Sequence, residues 1–318
     1  MLLAAALVAC GDDDAPADAG TPPMDGEPPA DGATMPDGGL AVGTVEDFAE
    51  LAGNSEGLAF GRNADGETVL FVGLLAQSTI VAVSPDGASV EVARVPRPLG
   101  IAVRADGDLV VCGKADETAG APGVLWRVSV ADGTTEVIVD TAPAPLETTN
   151  YVAIAPDGSL LFSDSAANVV YRADADGGPA TLVTDAFTYP NGIAFAPDGR
   201  SVYVSSWDTG VIHRLSFDPS TGAYGAPEVA LENVINTDGI HVAADGTLVL
   251  VSNPEGILVV EADGTPTQIA EPRPFGLPAN GAFGSGAYGD GWLYVTNLLG
   301  RAMARVYVGR DGLPLPVQ

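Results

Sequence analysis

Six short stretches of the sequence share a phase, and the residue that opens each is the best placed to do chemistry. These residues are Glu56, Leu99, Asn150, Asn191, Asp238 and Asn280. Five carry a side-chain oxygen and one does not. Carboxylates brought together raise each other's pKa, and buried amides without partners cost free energy. A hard divalent cation resolves both problems. Oxygen donors without His or Cys select Ca2+ or Mg2+ over zinc, and a mixed carboxylate and amide set suits the looser shell of calcium. One Asn or Asp before Gly is an ordinary turn residue. The coincidence of Glu56, Asn150, Asn191 and Asp238 at one phase nominates these four as metal ligands. Leu99 is then an apolar gap in the set, and Asn280 a bystander beside it.

The elements that must position these residues follow from the repeat itself. Each stretch continues as a short apolar run, an Asp-Gly pair in all six, and a second apolar run. The fourth copy shows the pattern: Asn191-Gly192-Ile193-Ala194-Phe195, then Asp198-Gly199, then Val202-Tyr203-Val204. Asp-Gly tolerates the positive φ of tight hairpin turns, so each copy reads as strand, turn, strand. Further β-rich runs lie between copies, such as 124–130 with 136–139 and 210–217 with 228–231. A period of about 40–50 residues with four strands per unit is the signature of a propeller. The sequence therefore predicts an all-β, six-bladed β-propeller with very little helix. Residues 42–50 precede the first copy and are expected to complete the last blade. Innermost strands line a propeller's central channel, so their first residues are expected to converge on its axis.

Composition agrees with this reading. The chain has 318 residues, 40 Gly and 25 Pro, which favours many turns over long helices. Its net charge is −29. Residues 1–40 hold eight of the acids and no Lys or Arg, so the rest of the chain is strongly acidic as well. Such a surface repels phosphate backbones, which excludes nucleic acid as a partner, and attracts cations.

The first ten residues form an apolar run ending Leu7-Val8-Ala9-Cys10, too short to span a bilayer. This run resembles the lipobox of bacterial lipoprotein signals, with Cys10 as the lipidated residue, although no Lys or Arg precedes it. Residues 11–40 are Asp, Ala, Pro and Gly-rich and read as a disordered tether, leaving 41–318 for the propeller. The expectation is an exported lipoprotein, periplasmic or at the cell surface, which touches a membrane only through its lipid. It is expected to be a monomer that acts on a small molecule. Cys112 reads as a small buried hydrophobe, and Trp126, Trp207 and Trp292 as packing residues. His213 falls in an outer strand, and His241 takes a place that most other copies give to Ala.

Glu56-Gly57, Pro190-Asn191-Gly192-Ile193-Ala194-Phe195 with Pro197-Asp198-Gly199, and Asp238-Gly239-Ile240 resemble the senescence-marker-protein/gluconolactonase family. The resemblance covers about residues 50–308. It implies hydrolysis of a lactone or related ester that depends on a divalent cation, held by residues matching Glu56, Asn191 and Asp238. Asn150 matches a further ligand of the fluorophosphatase branch. As catalytic groups it points to Asp238 as general base or nucleophile, with Glu56 second. The sequence departs from the family at Tyr151, where Asp is usual, and at Leu99, where a polar residue is common. Tyr151, Leu99 and Asn280 are expected to line the substrate's space. The alternative is a non-catalytic propeller that binds a ligand or protein and keeps calcium as a structural pin.

Overall fold

A computed structural model describes residues 39–314. The lipobox with Cys10, and the tether up to residue 38, lie outside the described residues. The described chain forms six antiparallel sheets. The first strand, β1 (Val45–Glu50), does not belong to the first sheet. Blade one is β2 (Ser55–Arg62), β3 (Thr68–Leu74), β4 (Thr79–Val83) and β5 (Ser89–Arg94). Blade two is β6 (Ile101–Val103), β7 (Leu109–Lys114), β8 (Gly123–Val128) and β9 (Thr135–Val139). Blade three is β10 (Thr149–Ile154), β11 (Leu160–Asp164), β12 (Val169–Asp174) and β13 (Gly177–Thr184).

Blade four is β14 (Pro190–Phe195), β15 (Ser201–Ser206) and β16 (Val211–Asp218), with β17 (Ala223–Tyr224) and β18 (Glu228–Leu231) both paired to β16. Its outer edge is therefore split in two, a detail the sequence reading did not contain. Blade five is β19 (Thr237–Val242), β20 (Leu248–Ser252), β21 (Gly256–Val260) and β22 (Pro266–Ala270). Blade six is β23 (Pro278–Phe283), β24 (Trp292–Asn297) and β25 (Ala302–Tyr307), completed by β1 on β25, as expected.

The ring closes through its packing. The first strands of the blades neighbour one another in the cycle β2, β6, β10, β14, β19, β23 and back to β2. Six apolar clusters fill the six blade-to-blade interfaces. One of them joins Leu70 and Val72 of blade one to Tyr294 and Met303 of blade six. The next face of the same strand, Val69 and Phe71, packs on Leu109 and Val111 of blade two. Alternate residues of a strand point to opposite faces, so a strand sandwiched between two blades must be apolar on both. This explains the unbroken runs such as Leu160-Leu161-Phe162. Outer strands such as β5 and β9 are largely exposed.

The Asp-Gly turns behave as read. Gly66, Gly107, Gly158, Gly199, Gly246 and Gly291 all have positive φ. Asp157, Asp198 and Asp245 each accept the backbone N–H two residues on. Cys112 is a free, fully buried thiol within the cluster between blades two and three, and burial pushes its pKa well up.

Candidate functional site

The residues that open the copies sit where the inner strands lose their regular pairing. Register shifts fall between Ser55 and Leu58, Thr149 and Val152, Pro190 and Ile193, Thr237 and Gly239, and Pro278 and Gly281. Glu56, Asn150, Asn191, Asp238 and Asn280 each lie inside one of these irregularities. An irregular ladder re-aims a side chain and leaves backbone groups to be satisfied elsewhere. Second-strand hydroxyls do this from blade to blade. Ser163 Oγ accepts from Tyr151 N at 3.1 Å and donates to Asn191 O at 3.0 Å. Thr296 Oγ1 accepts from Asn280 N at 3.0 Å and donates to Glu56 O at 2.7 Å.

Glycine follows the opening residue in five copies, and the reason is close approach. A Cβ on Gly57 would stand 1.9 Å from Leu99 O, and one on Gly192 would stand 2.4 Å from Asp238 O. The opening positions are thus drawn into one tight ring.

Glu56, Asn150, Asn191, Asp238 and Asn280 are all more than nine-tenths buried. Burial, reinforced by the charge of Asp238, pushes the Glu56 carboxyl well above its usual range. Burial also raises Asp238, to about 7, while hydrogen bonds from Asn253 and Asn191 pull it back down. These two acids therefore share one desolvated space with amide groups.

Several oxygens here have no partner: Glu56 Oε2, Asn150 Oδ1 and Asn191 Oδ1, together with Asn253 Oδ1. Unpaired buried oxygens are rare and call for an explanation. Their chemistry fits a hard cation, with two carboxylates and neutral amides as donors. Among the described residues no group of three or more His, Cys, Asp and Glu side chains is placed to hold a metal, so the amides are essential to any such site.

Asn280 differs from the other four. Its Oδ1 accepts from Gly281 N at 2.8 Å and from the Tyr151 hydroxyl at 3.4 Å, so it is already engaged. Leu99 is half-buried and packs against the cluster between blades two and three. Tyr151 is half-buried, with its phenol held protonated by burial and by the Glu56 charge.

Two residues near the ring escaped the sequence reading. Asn253 Nδ2 donates to Asp238 Oδ2 at 3.2 Å. Asn253 follows the end of β20, a position that aligning the second strands of the copies would have exposed. Tyr189 precedes Asn191 by two residues and has φ 51°. Arg97 and Asn236 hold the same place before Leu99 and Asp238, with φ 48° and 50°. Positive φ at residues with side chains stores strain of about 1–3 kcal/mol each and gathers at functional sites. Tyr189 stacks at an angle on Trp207, 5.7 Å between ring centroids. Burial, and then the charges of Asp238, Asp208 and Glu56, push its phenol up to about 12.

The two histidines stand on different strands. His213 lies on β16 against Phe187, with ring centroids 4.8 Å apart. His241 lies on β19, buried, with Nε2 unpartnered, and burial lowers its pKa to about 3, so it is neutral.

Solved structures share this fold. A gluconolactonase from Xanthomonas campestris matches with TM-score 0.68 and 23% identity, over 83% of this chain and 89% of that one. A luciferin-regenerating enzyme matches with TM-score 0.65 and 17% identity, over 85% and 97%. A calcium-binding protein, regucalcin, from Agrobacterium tumefaciens matches with TM-score 0.65 and 18% identity, over 85% and 97%. No curated protein matches the sequence. Residues 56–298 match the family described as SMP-30/Gluconolactonase/LRE-like region, from the first opening residue to just past Asn297 at the end of β24. The chain belongs to the SMP-30/Gluconolactonase/LRE-like family.

Proposed function

We propose that this protein is a lactonase-type hydrolase whose site is the ring around Asp238 in the central channel, with a divalent cation, calcium above all, held by Glu56, Asn150, Asn191 and Asp238. The observation that carries the reading is the set of buried, unpaired oxygens on Glu56, Asn150 and Asn191 beside a carboxylate whose pKa is raised. Membership of a family that includes gluconolactonases, and likeness to a calcium-binding regucalcin, support it.

A bound cation would polarise the carbonyl oxygen of a lactone and acidify a water. The chain's own residues supply the rest. Asp238 takes the proton of the attacking water, and Asn253 Nδ2 fixes the orientation of its carboxylate. Glu56 adds the second negative charge that holds a cation. Asn150 and Asn191 offer oxygens without further charge. The ring's burial excludes bulk water and strengthens each of these interactions.

The test is a lactone panel assayed with calcium, with manganese or zinc, and with chelator. Turnover that chelator abolishes and calcium restores is expected. Chelator that lowers thermal stability in a protein that turns over no lactone would instead favour calcium as a structural pin in a binding propeller. The engaged state of Asn280 and the apolar Leu99 favour that second reading. For the N-terminal segment we propose export and lipid anchoring through Cys10. Metabolic labelling with a palmitate analogue in wild type and Cys10→Ala tests this. The domain is proposed to act as a monomer on a small molecule.

A further inference from the structure

Five copies have glycine after the opening residue: Gly57, Gly100, Gly192, Gly239 and Gly281. The third copy alone has a large side chain there, Tyr151. Its hydroxyl reaches Asn280 Oδ1 at 3.4 Å. Tyr151 stands on β10, the third strand of the inner ring, and Asn280 on β23, the sixth. In a ring of six these strands face each other across the axis. The phenol therefore reaches from one wall of the ring to the opposite one.

Tyr151 stands one residue further along its strand than the candidate ligand Asn150. On the side toward the Asp-Gly turns lies a cavity of about 260 Å³ that opens to solvent. Tyr151 lines it together with Ile193, Phe195, His241, Phe283 and Leu313. The side chains that line it are mainly apolar, in contrast to the oxygen-rich ring on the other side. His241 adds one buried nitrogen without a partner.

The geometry points to Tyr151 as a crossbar that separates the oxygen ring from the apolar cavity and so limits how far a ligand of the ring can extend along the axis. It is a specificity-determining residue. The substrate class that follows is a compact lactone with short substituents, excluded from the apolar cavity beyond the bar. The inference rests on the lactonase reading only for the choice of substrate probe.

The experiment compares kcat/KM for γ-lactones carrying alkyl groups from methyl to heptyl in wild type, Tyr151→Phe and Tyr151→Gly. Wild type and Tyr151→Phe, which keeps the ring, should discriminate against the long chains in parallel. Tyr151→Gly should raise the heptyl-to-methyl ratio about tenfold or more, because each methylene reaching an apolar pocket adds appreciable binding. Parallel profiles in wild type and Tyr151→Gly overturn the crossbar.

If no form turns over any lactone, the lactonase reading fails and a probe without chemistry decides the crossbar. Thermal unfolding is then followed with 4-methylphenol, the missing side chain, and with toluene. Tyr151→Gly should be stabilised by 4-methylphenol more than by toluene, with wild type shifted by neither. A folded Tyr151→Gly that neither compound stabilises overturns the proposal. Tyr151→Ala takes its place in both assays if the glycine variant does not fold.

Discussion

Asp164 and Asp238 are both deeply buried carboxylates, and the fold treats them in opposite ways. Asp164, at the end of β11, accepts backbone N–H groups from Glu147 and Thr148 at 2.7 Å each and from Ala167 at 3.3 Å. It ties down the segment that leads into β10. Asp238 meets only side-chain amides, Asn253 at 3.2 Å and Asn191, and shares its space with Glu56. A carboxylate that accepts several backbone N–H groups repays its desolvation, whereas one buried with only two side-chain amides and a second acid nearby keeps its charged form at a cost. The difference separates a carboxylate satisfied by backbone N–H groups from one met only by side-chain amides.

The first way to break this comparison is at Asp238. Asp238→Asn should lower lactone turnover by about 10²–10⁴-fold, the usual worth of a positioned base, while leaving the folded protein as stable or more so without cation. Initial rates and thermal unfolding of one preparation check both halves. Intact hydrolysis in Asp238→Asn would remove Asp238 from the chemistry.

Asp164→Ala should do the reverse. It strands part-buried backbone N–H groups and should cost about 2–4 kcal/mol of stability in urea unfolding. In the surviving folded fraction the turnover per site should be retained. Glu56→Gln is expected to weaken calcium about 10–100-fold by calorimetry, since it removes one of two charges from the ligand set.

The smallest effects concern pH. Glu56 and Asp238 have folded pKa values raised above their unfolded ones. Their contribution is fully present below about pH 4 and is lost as pH rises through each raised value, about 7 for Asp238. The turn carboxylates Asp157 and Asp245 are lowered, mainly by hydrogen bonds from Ser159 and Thr247, and so contribute above about pH 4 and fail below it. Cation-free protein should therefore be most stable near pH 4–5 and lose a few degrees of Tm toward pH 7. Calcium should cancel that loss, and Glu56→Gln should flatten it. A cation-free Tm that climbs from pH 5 to 7 would contradict the raised pair.

The repeat made the architecture legible, because each blade is a local unit whose strands, turn and apolar period lie close in sequence. It also made Glu56, Asn150, Asn191 and Asp238 legible, since one phase of a repeat becomes one level of a ring. Asn253 is not legible from the opening residues, because the ends of the second strands form a level of their own. The reach of Tyr151 was missed for another reason. Its exception to the glycine pattern is visible in sequence, but its partner stands three blades away, and only the closed ring makes Asn280 its opposite. The split outer edge of blade four arises in an exposed region with few apolar constraints, where periodicity carries little signal.

The pairing of β1 with β25 bears on how the molecule comes to exist. Glu46 and Arg305 are 259 positions apart, yet they form an ion pair at 2.6 Å. During synthesis the ribosome releases β1 long before its partner is made. Until then β1 waits with unsatisfied backbone groups, and the nascent ring is an open arc. Closure brings the two ends together in one late step, which favours slow folding and an all-or-none transition. An arc that stays open exposes the free edge of β25, and the β1 of a second copy is chemically identical to the missing strand. Such a lapse would produce an exchanged pair of rings, the hazard that an open sheet edge carries in any crowded solution of its own kind.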